Sequence, residues 1–266
     1  MGPISAQKRG PGPLFLPGLL GTLKPMLIRA GQSVARRVLR KLRGPSLAEA
    51  QAYTGTDEVS GGLQMEVLKR EGCEPRSKVL EVGCGCLSAG MRLIDYLDAG
   101  NYAGIDPNPK LREAALRVPA NRRLTDSKRA RFLSNFDFDA TSLGVQFDYA
   151  LSHSILSHAA HWQLPLYLRN VSKVMAPTGK IVASIRLAEG NAFGSPGTPD
   201  KKDSMDEEWV YPTKEDPAGV SWFSWETVQK QADAHGLVAR LVPEHTAFYI
   251  ATRPREIHDW VVFTKK

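Results

Sequence analysis

Two short apolar runs, the first closed by a pair of glycines and the second by an aspartate, constrain this chain more than any other feature. The first reads Val79-Leu80-Glu81-Val82-Gly83-Cys84-Gly85-Cys86 and the second Tyr102-Ala103-Gly104-Ile105-Asp106-Pro107. A brief apolar run that ends in glycines reads as a buried parallel strand entering a tight loop. Glycine in such a loop lets the backbone approach a ligand, because no Cβ stands in the way. Asp106 follows Gly83 by 23 residues. In nucleotide-binding α/β folds a carboxylate about 20 residues past the glycine loop holds ribose hydroxyls.

The rest of the chain repeats the pattern of strand and helix. Strands are expected at 78–83, 101–105, 131–134, 147–152 and 180–186, with a last pair near 237–242 and 259–264. Helices are expected at 88–98, 109–117, 161–174 and 223–235, and one or two more over 46–76. Such alternation predicts a doubly wound, mostly parallel sheet covered on both faces, with ligands at the carboxyl ends of its strands. At 266 residues the chain suits one large domain with appendages. Residues 46–266 are expected to form it, behind a tail at 1–45.

The glycine loop admits two cofactors. A dinucleotide site wants a third glycine where Ser88 stands, so its pyrophosphate would lose a close-packing residue. The other reading needs no phosphate: Glu81 lies two residues before Gly83, where a carboxylate can reach a cationic amino-acid moiety through water. A carboxylate buried without a partner is costly, so Glu81 also calls for a ligand or an internal partner.

Four blocks in order resemble the class I S-adenosylmethionine-dependent methyltransferases. They are the loop Leu80-Glu81-Val82-Gly83-Cys84-Gly85, then Asp106, then Asn135-Phe136-Asp137-Phe138, and finally Phe147-Asp148-Tyr149-Ala150-Leu151-Ser152-His153-Ser154. Val174-Met175-Ala176-Pro177-Thr178-Gly179-Lys180 resembles the turn before that family's fifth strand, and Pro254–Phe263 its closing hairpin in one bacterial branch. The resemblance implies a Rossmann-like fold and S-adenosylmethionine as cofactor. It further implies that Glu81, Gly83, Cys84, Gly85, Asp106, Pro107, Asp137, Phe138 and Ser152 bind it. Asp106 would take the ribose, Asp137 the adenine amino group, and Phe138 would donate an amide and pack on the ring. Asp139 is a near alternative to Asp137.

Methyl transfer from a sulfonium is an in-line displacement from an activated donor, so positioning supplies much of the rate. A base is needed when the nucleophile is a hydroxyl that must shed its proton. Ser152-His153-Ser154-Ile155 stands where enzymes acting on amide or adenine nitrogens usually carry Asn/Asp-Pro-Pro-aromatic. That points to an oxygen acceptor, with His153 and His158 as candidate bases and His161 beside them. No carboxylate cluster is spaced for a divalent ion, and Cys73, Cys84 and Cys86 have no matching histidine spacing for zinc. Without a disulfide framework, these cysteines suit a reducing, cytoplasmic compartment. Residues 187–221, where acids outnumber lysines and Trp209 and Tyr211 sit, read as a cap over a small-molecule, glycan or glycolipid acceptor, or as a surface loop.

The formal charge of +7 is misleading, because nine of the 35 Lys/Arg lie in residues 1–45, which hold no acid. The remaining 26 face 28 acids, so the body gives no strong nucleic-acid signal. Residues 25–43 read as a basic amphipathic helix, suited to peripheral contact with an anionic membrane, to docking on a protein surface, or to organelle targeting. An RNA methyltransferase using this tail, and a non-catalytic cofactor-binding protein, are the rival functions.

Overall fold

The computed structural model describes residues 44–160, 162–191, 220–254 and 258–266. The tail, most of the expected cap and His161 lie outside these. The seven strands are β1 (Val79–Val82), β2 (Tyr102–Ile105), β3 (Arg131–Leu133), β4 (Phe147–Ser152), β5 (Met175–Ile185), β6 (Leu237–Leu241) and β7 (Asp259–Lys265). They form one sheet in the order β3-β2-β1-β4-β5-β7-β6. β7 runs antiparallel to both β5 and β6, and the others run parallel. This is the doubly wound, mostly parallel sheet that the alternation predicts.

Eight helices complete the described chain: α1 (Leu47–Thr54), α2 (Glu58–Arg70), α3 (Gly90–Tyr96), α4 (Pro109–Leu116), α5 (Pro119–Ser127), α6 (Gln163–Lys173), α7 (Trp225–Ala234) and α8 (Pro243–Thr252). Their starts are written locally. Ser46 and Glu49 form a reciprocal capping box at α1, and Asp57 accepts the Ser60 N–H at 2.9 Å to open α2. Asn108 accepts from Lys110 at 3.0 Å, with Pro109 in the first turn of α4. Each cap satisfies a backbone donor that has no partner inside the helix.

Side-chain alternation divides the core between the two faces of the sheet. Leu80, Val82, Ala103, Ile105, Ala150, Ile181 and Ala183 pack with Leu164, Leu168 and Val171 of α6 and Val228 of α7. Val79, Tyr102, Leu151, Val182, Trp260 and Val262 pack on the other face with Val67 and Leu68 of α2, and with Leu93 and Ile94 of α3. Burying each such aliphatic side chain contributes about 1.5–3 kcal/mol.

Three features differ from the pattern reading. The run before strand five is part of β5 itself, where Met175 pairs with Phe147 and Lys180 with Tyr149, so the excess residues bulge outward at exposed Pro177 and Thr178. Helix α5 was not expected, because Thr125 is its one buried residue and no apolar stripe announces it. Helix α8 lies between β6 and β7. Of the run Pro254–Phe263, residues 255–257 lie outside the described residues and Asp259–Phe263 belong to β7, antiparallel to β5 and β6.

Candidate functional site

Sheet order reverses between β1 and β4, and a crevice forms at the carboxyl ends of strands at such a point. The glycine loop lies there. The Gly83 and Cys84 N–H groups both donate to the Ile105 carbonyl, at 2.7 and 3.1 Å, so the loop is pinned to the end of β2. Gly83 has φ +78° and Gly85 φ +45°, a region where side chains with a Cβ are strained. Space is equally decisive at Gly83, where a Cβ would lie 2.0 Å from Ile155 Cδ1. Ile155 reaches it because the chain kinks after β4: Ser154 has φ +60°, with its N–H held by Ser184 Oγ at 2.8 Å.

Asp106 is brought directly to this loop. Its Oδ2 accepts the Gly85 N–H at 2.8 Å and its Oδ1 the Asn108 N–H at 2.7 Å. Burial holds its carboxyl above the usual range, against the two amides that favour the ion. A carboxylate offers about four lone-pair positions. Two remain at Asp106 for a vicinal diol, so the residue fits a nucleoside. Pro107 follows, half-buried.

Glu81 turns inward. Its Oε2 accepts the Tyr102 hydroxyl at 2.5 Å, and the carboxylate lies against the start of α3, where a Cβ on Gly90 would sit 2.8 Å away. Burial pushes its pKa up to about 8, with Asp106 raising it further and the Tyr102 hydroxyl opposing. The internal partner that a buried carboxylate calls for is thus Tyr102, which pattern reading did not single out. Cys84 is buried beside these acids, and burial holds its thiol well above the usual range.

The loop after β3 places Phe138 in the core, edge-on to Tyr167 at 5.5 Å. Asp137 stays at the surface, where its Oδ1 accepts from Asp139 at 3.3 Å while its carbonyl accepts from Asn170 at 2.7 Å. Asn135 Oδ1 is buried with no hydrogen-bond partner. Ser152 is fully buried; its hydroxyl and that of Tyr167 lack a partner at hydrogen-bond distance, although they lie near enough for Ser152 to bear on Tyr167.

His153 leaves β4 into an aromatic cluster. Its ring lies 4.9 Å from Tyr249, 5.3 Å from His258 and 5.6 Å from Trp260. Burial, with His258, Arg253 and His158 nearby, pushes its pKa down to about 3. Burial and the neighbouring Arg186 push His258 to about 4. Both rings are neutral at pH 7. His158 sits at the exposed end of a 3-10 turn, Leu156–His158, close enough for its charge to act on both. His258 was missed because its proximity to His153 depends on the pairing of β7 with β5. Among the described residues no group of three or more His, Cys, Asp or Glu is arranged to hold a metal ion.

Residues 80–181 match a family model described as a methyltransferase domain. Solved structures share the fold at low identity. The glycopeptide N-methyltransferase MtfA is 13% identical with a TM-score of 0.54, over 77% of this chain and 90% of that one. Magnesium protoporphyrin IX methyltransferase from Synechocystis PCC 6803, with S-adenosylmethionine bound, is 14% identical with a TM-score of 0.51, over 91% and 97%. No curated protein matches the sequence. Residues 80–181 thus match a methyltransferase domain, and the sheet that carries them has the fold of these solved methyltransferases.

Proposed function

We propose that the chain methylates an oxygen of a small-molecule or glycan acceptor, bound at the carboxyl edge of β4. The cofactor supplies an activated methyl group, and this chain's residues position it. Asp106 accepts the ribose hydroxyls through the lone pairs left by Gly85 and Asn108. Gly83, Cys84 and Gly85 admit the amino-acid end, near the buried Glu81. Pro107, Asp137, Phe138 and Ser152 border the nucleoside, with the adenine toward Asp137 and Phe138. His153 faces the acceptor and His158 stands at the rim. Where the nucleophile is a hydroxyl, a neutral imidazole accepts its hydrogen bond and takes its proton as the new bond forms; a carboxylate nucleophile needs no such base.

The observation that carries the reading is Asp106: a buried carboxylate stapled to the glycine loop with hydrogen-bonding capacity to spare. Calorimetry with S-adenosylhomocysteine tests it. Asp106→Ala is expected to weaken binding at least about tenfold, the cost of hydrogen bonds to a charged group. Unchanged affinity would reject the ribose assignment. A screen of hydroxyl and carboxyl acceptors, followed by S-adenosylhomocysteine formation, tests the oxygen acceptor; methyl transfer confined to amines would overturn it.

A further inference from the structure

At the carboxyl ends of β4 and β5 lies a group of buried nitrogens left unsatisfied among the described residues. Among the described residues, both ring nitrogens of His153, both of His258, Trp260 Nε1 and Arg186 Nε are buried without a hydrogen-bond partner. Sheet register explains why they gather. Ile185 pairs with Asp259 and Ser184 with Trp260, so Arg186 and His258 lie opposite each other one step past the end of that ladder. Ser152 pairs with Ala183, which brings His153 alongside. His258 is 3% exposed. An unpaired buried polar group is costly, so this many in one place mark a site built to be filled.

The chemistry of the set is lopsided. Indole and guanidinium nitrogens only donate, and each neutral imidazole carries one N–H. The four side chains thus offer at least four donors and at most two acceptors. The charges that press on the two histidines are also all basic: Arg186, Arg253 and His158. The neighbouring carboxylates are engaged elsewhere, Asp259 by the Leu187 N–H at 3.2 Å and Asp57 by Arg253. Arg186 is held over the Trp222 ring at 5.5 Å, which fixes its fork.

We propose that His153, Arg186, His258 and Trp260 form the acceptor subsite, and that the group they take is a carboxylate carried on an apolar or aromatic body. The inference rests on the oxygen-methylation reading and names its substrate class. One carboxylate oxygen forms the new bond to the methyl carbon as the carbon–sulfur bond breaks. The electron pair of that bond stays on sulfur, the sulfonium becomes a neutral thioether, and the carboxylate becomes a neutral methyl ester. No proton moves, so the step needs no base. The histidines then orient the anion as donors.

The test is calorimetry on the full chain, with and without saturating S-adenosylhomocysteine, using benzoate, benzamide and benzyl alcohol as probes. Benzoate is expected to bind at least about tenfold more tightly than either neutral probe, as charge-assisted hydrogen bonds require. His258→Phe, which keeps a ring in the cluster, and Arg186→Gln are each expected to weaken benzoate at least about fivefold. Both should leave S-adenosylhomocysteine affinity within about twofold, which also shows that they fold. In the wild type, benzoate is expected to shift the imidazole nitrogen resonances of His153 and His258. Equal binding of benzoate and benzamide, or an unchanged benzoate affinity in both variants, would overturn the proposal. Selective benzoate binding without any S-adenosylhomocysteine binding would uphold the subsite and defeat the cofactor assignment instead.

Discussion

At Glu81 the sequence states a problem and the fold answers it. A carboxylate in a four-residue buried strand must find a partner or stay protonated, and Tyr102 on the neighbouring strand is that partner. Burial lifts the folded pKa to about 8, above the 4.5 of a solvated glutamate. The native state therefore holds a proton that the unfolded chain releases between those values. Glu81 leaves stability intact below pH 4.5 and erodes it as pH rises toward 8. Relative to wild type, Glu81→Gln is expected to gain stability progressively between pH 5 and pH 8, by up to about 4 kcal/mol at the upper end. Urea midpoints across that range check it; a difference that does not change with pH would mean Glu81 is ionised in the fold.

Among the elements, α2 is seated by a residue that propensity would disfavour. Glycine inside a helix costs about 0.5–1 kcal/mol relative to alanine, yet Gly61 is buried in the second turn of α2. A Cβ there would fall 2.0 Å from the Ser88 carbonyl oxygen, so glycine lets α2 rest on the exit of the glycine loop. Next to it, Thr56 Oγ1 lies 3.0 Å from Ser88 Oγ and Thr54 Oγ1 3.5 Å from Cys86 Sγ, which ties the link between α1 and α2 to the same loop. Gly61→Ala is expected to destabilise the protein by about 1–3 kcal/mol despite its better helix propensity, because backbone must move. It should also weaken S-adenosylhomocysteine binding. A stabilised variant in thermal unfolding would show that α2 does not bear on the loop.

Across the whole molecule, adhesion and chemistry are held apart. The Glu71 carboxylate, 6% exposed, meets Lys180 at 3.0 Å, Arg240 at 3.1 Å and His245 at 2.9 Å, so one side chain joins the end of α2 to β5, β6 and α8. Burial alone would raise its pKa, and these three partners hold it low. Removing the carboxylate strands two cations and a histidine. Glu71→Ala is expected to cost about 3 kcal/mol, read as a lower urea midpoint, with S-adenosylhomocysteine affinity little changed. A loss of cofactor binding in folded protein would show that the cluster and the site are coupled. No helix among the described residues is long and apolar enough to cross a membrane.

Much of this was open to reading from one dimension, for a physical reason. The glycine loop, Asp106 and the strand–helix rhythm are local: backbone freedom, caps and apolar alternation operate over a few residues. Together they dictated a mostly parallel sheet and the edge where the candidate site lies, while the cofactor class came from the family resemblance of the same blocks. Tertiary structure alone decided which side chains meet across strands distant in sequence. Gly61 admits Ser88 because a helix packs on the loop, while Tyr102 reaches Glu81 and Arg186 and His258 converge on His153 because register, a property of paired strands, sets them there. No local pattern encodes register between β5 and β7, so the buried donors gathered around His153 become visible only after the chain has folded.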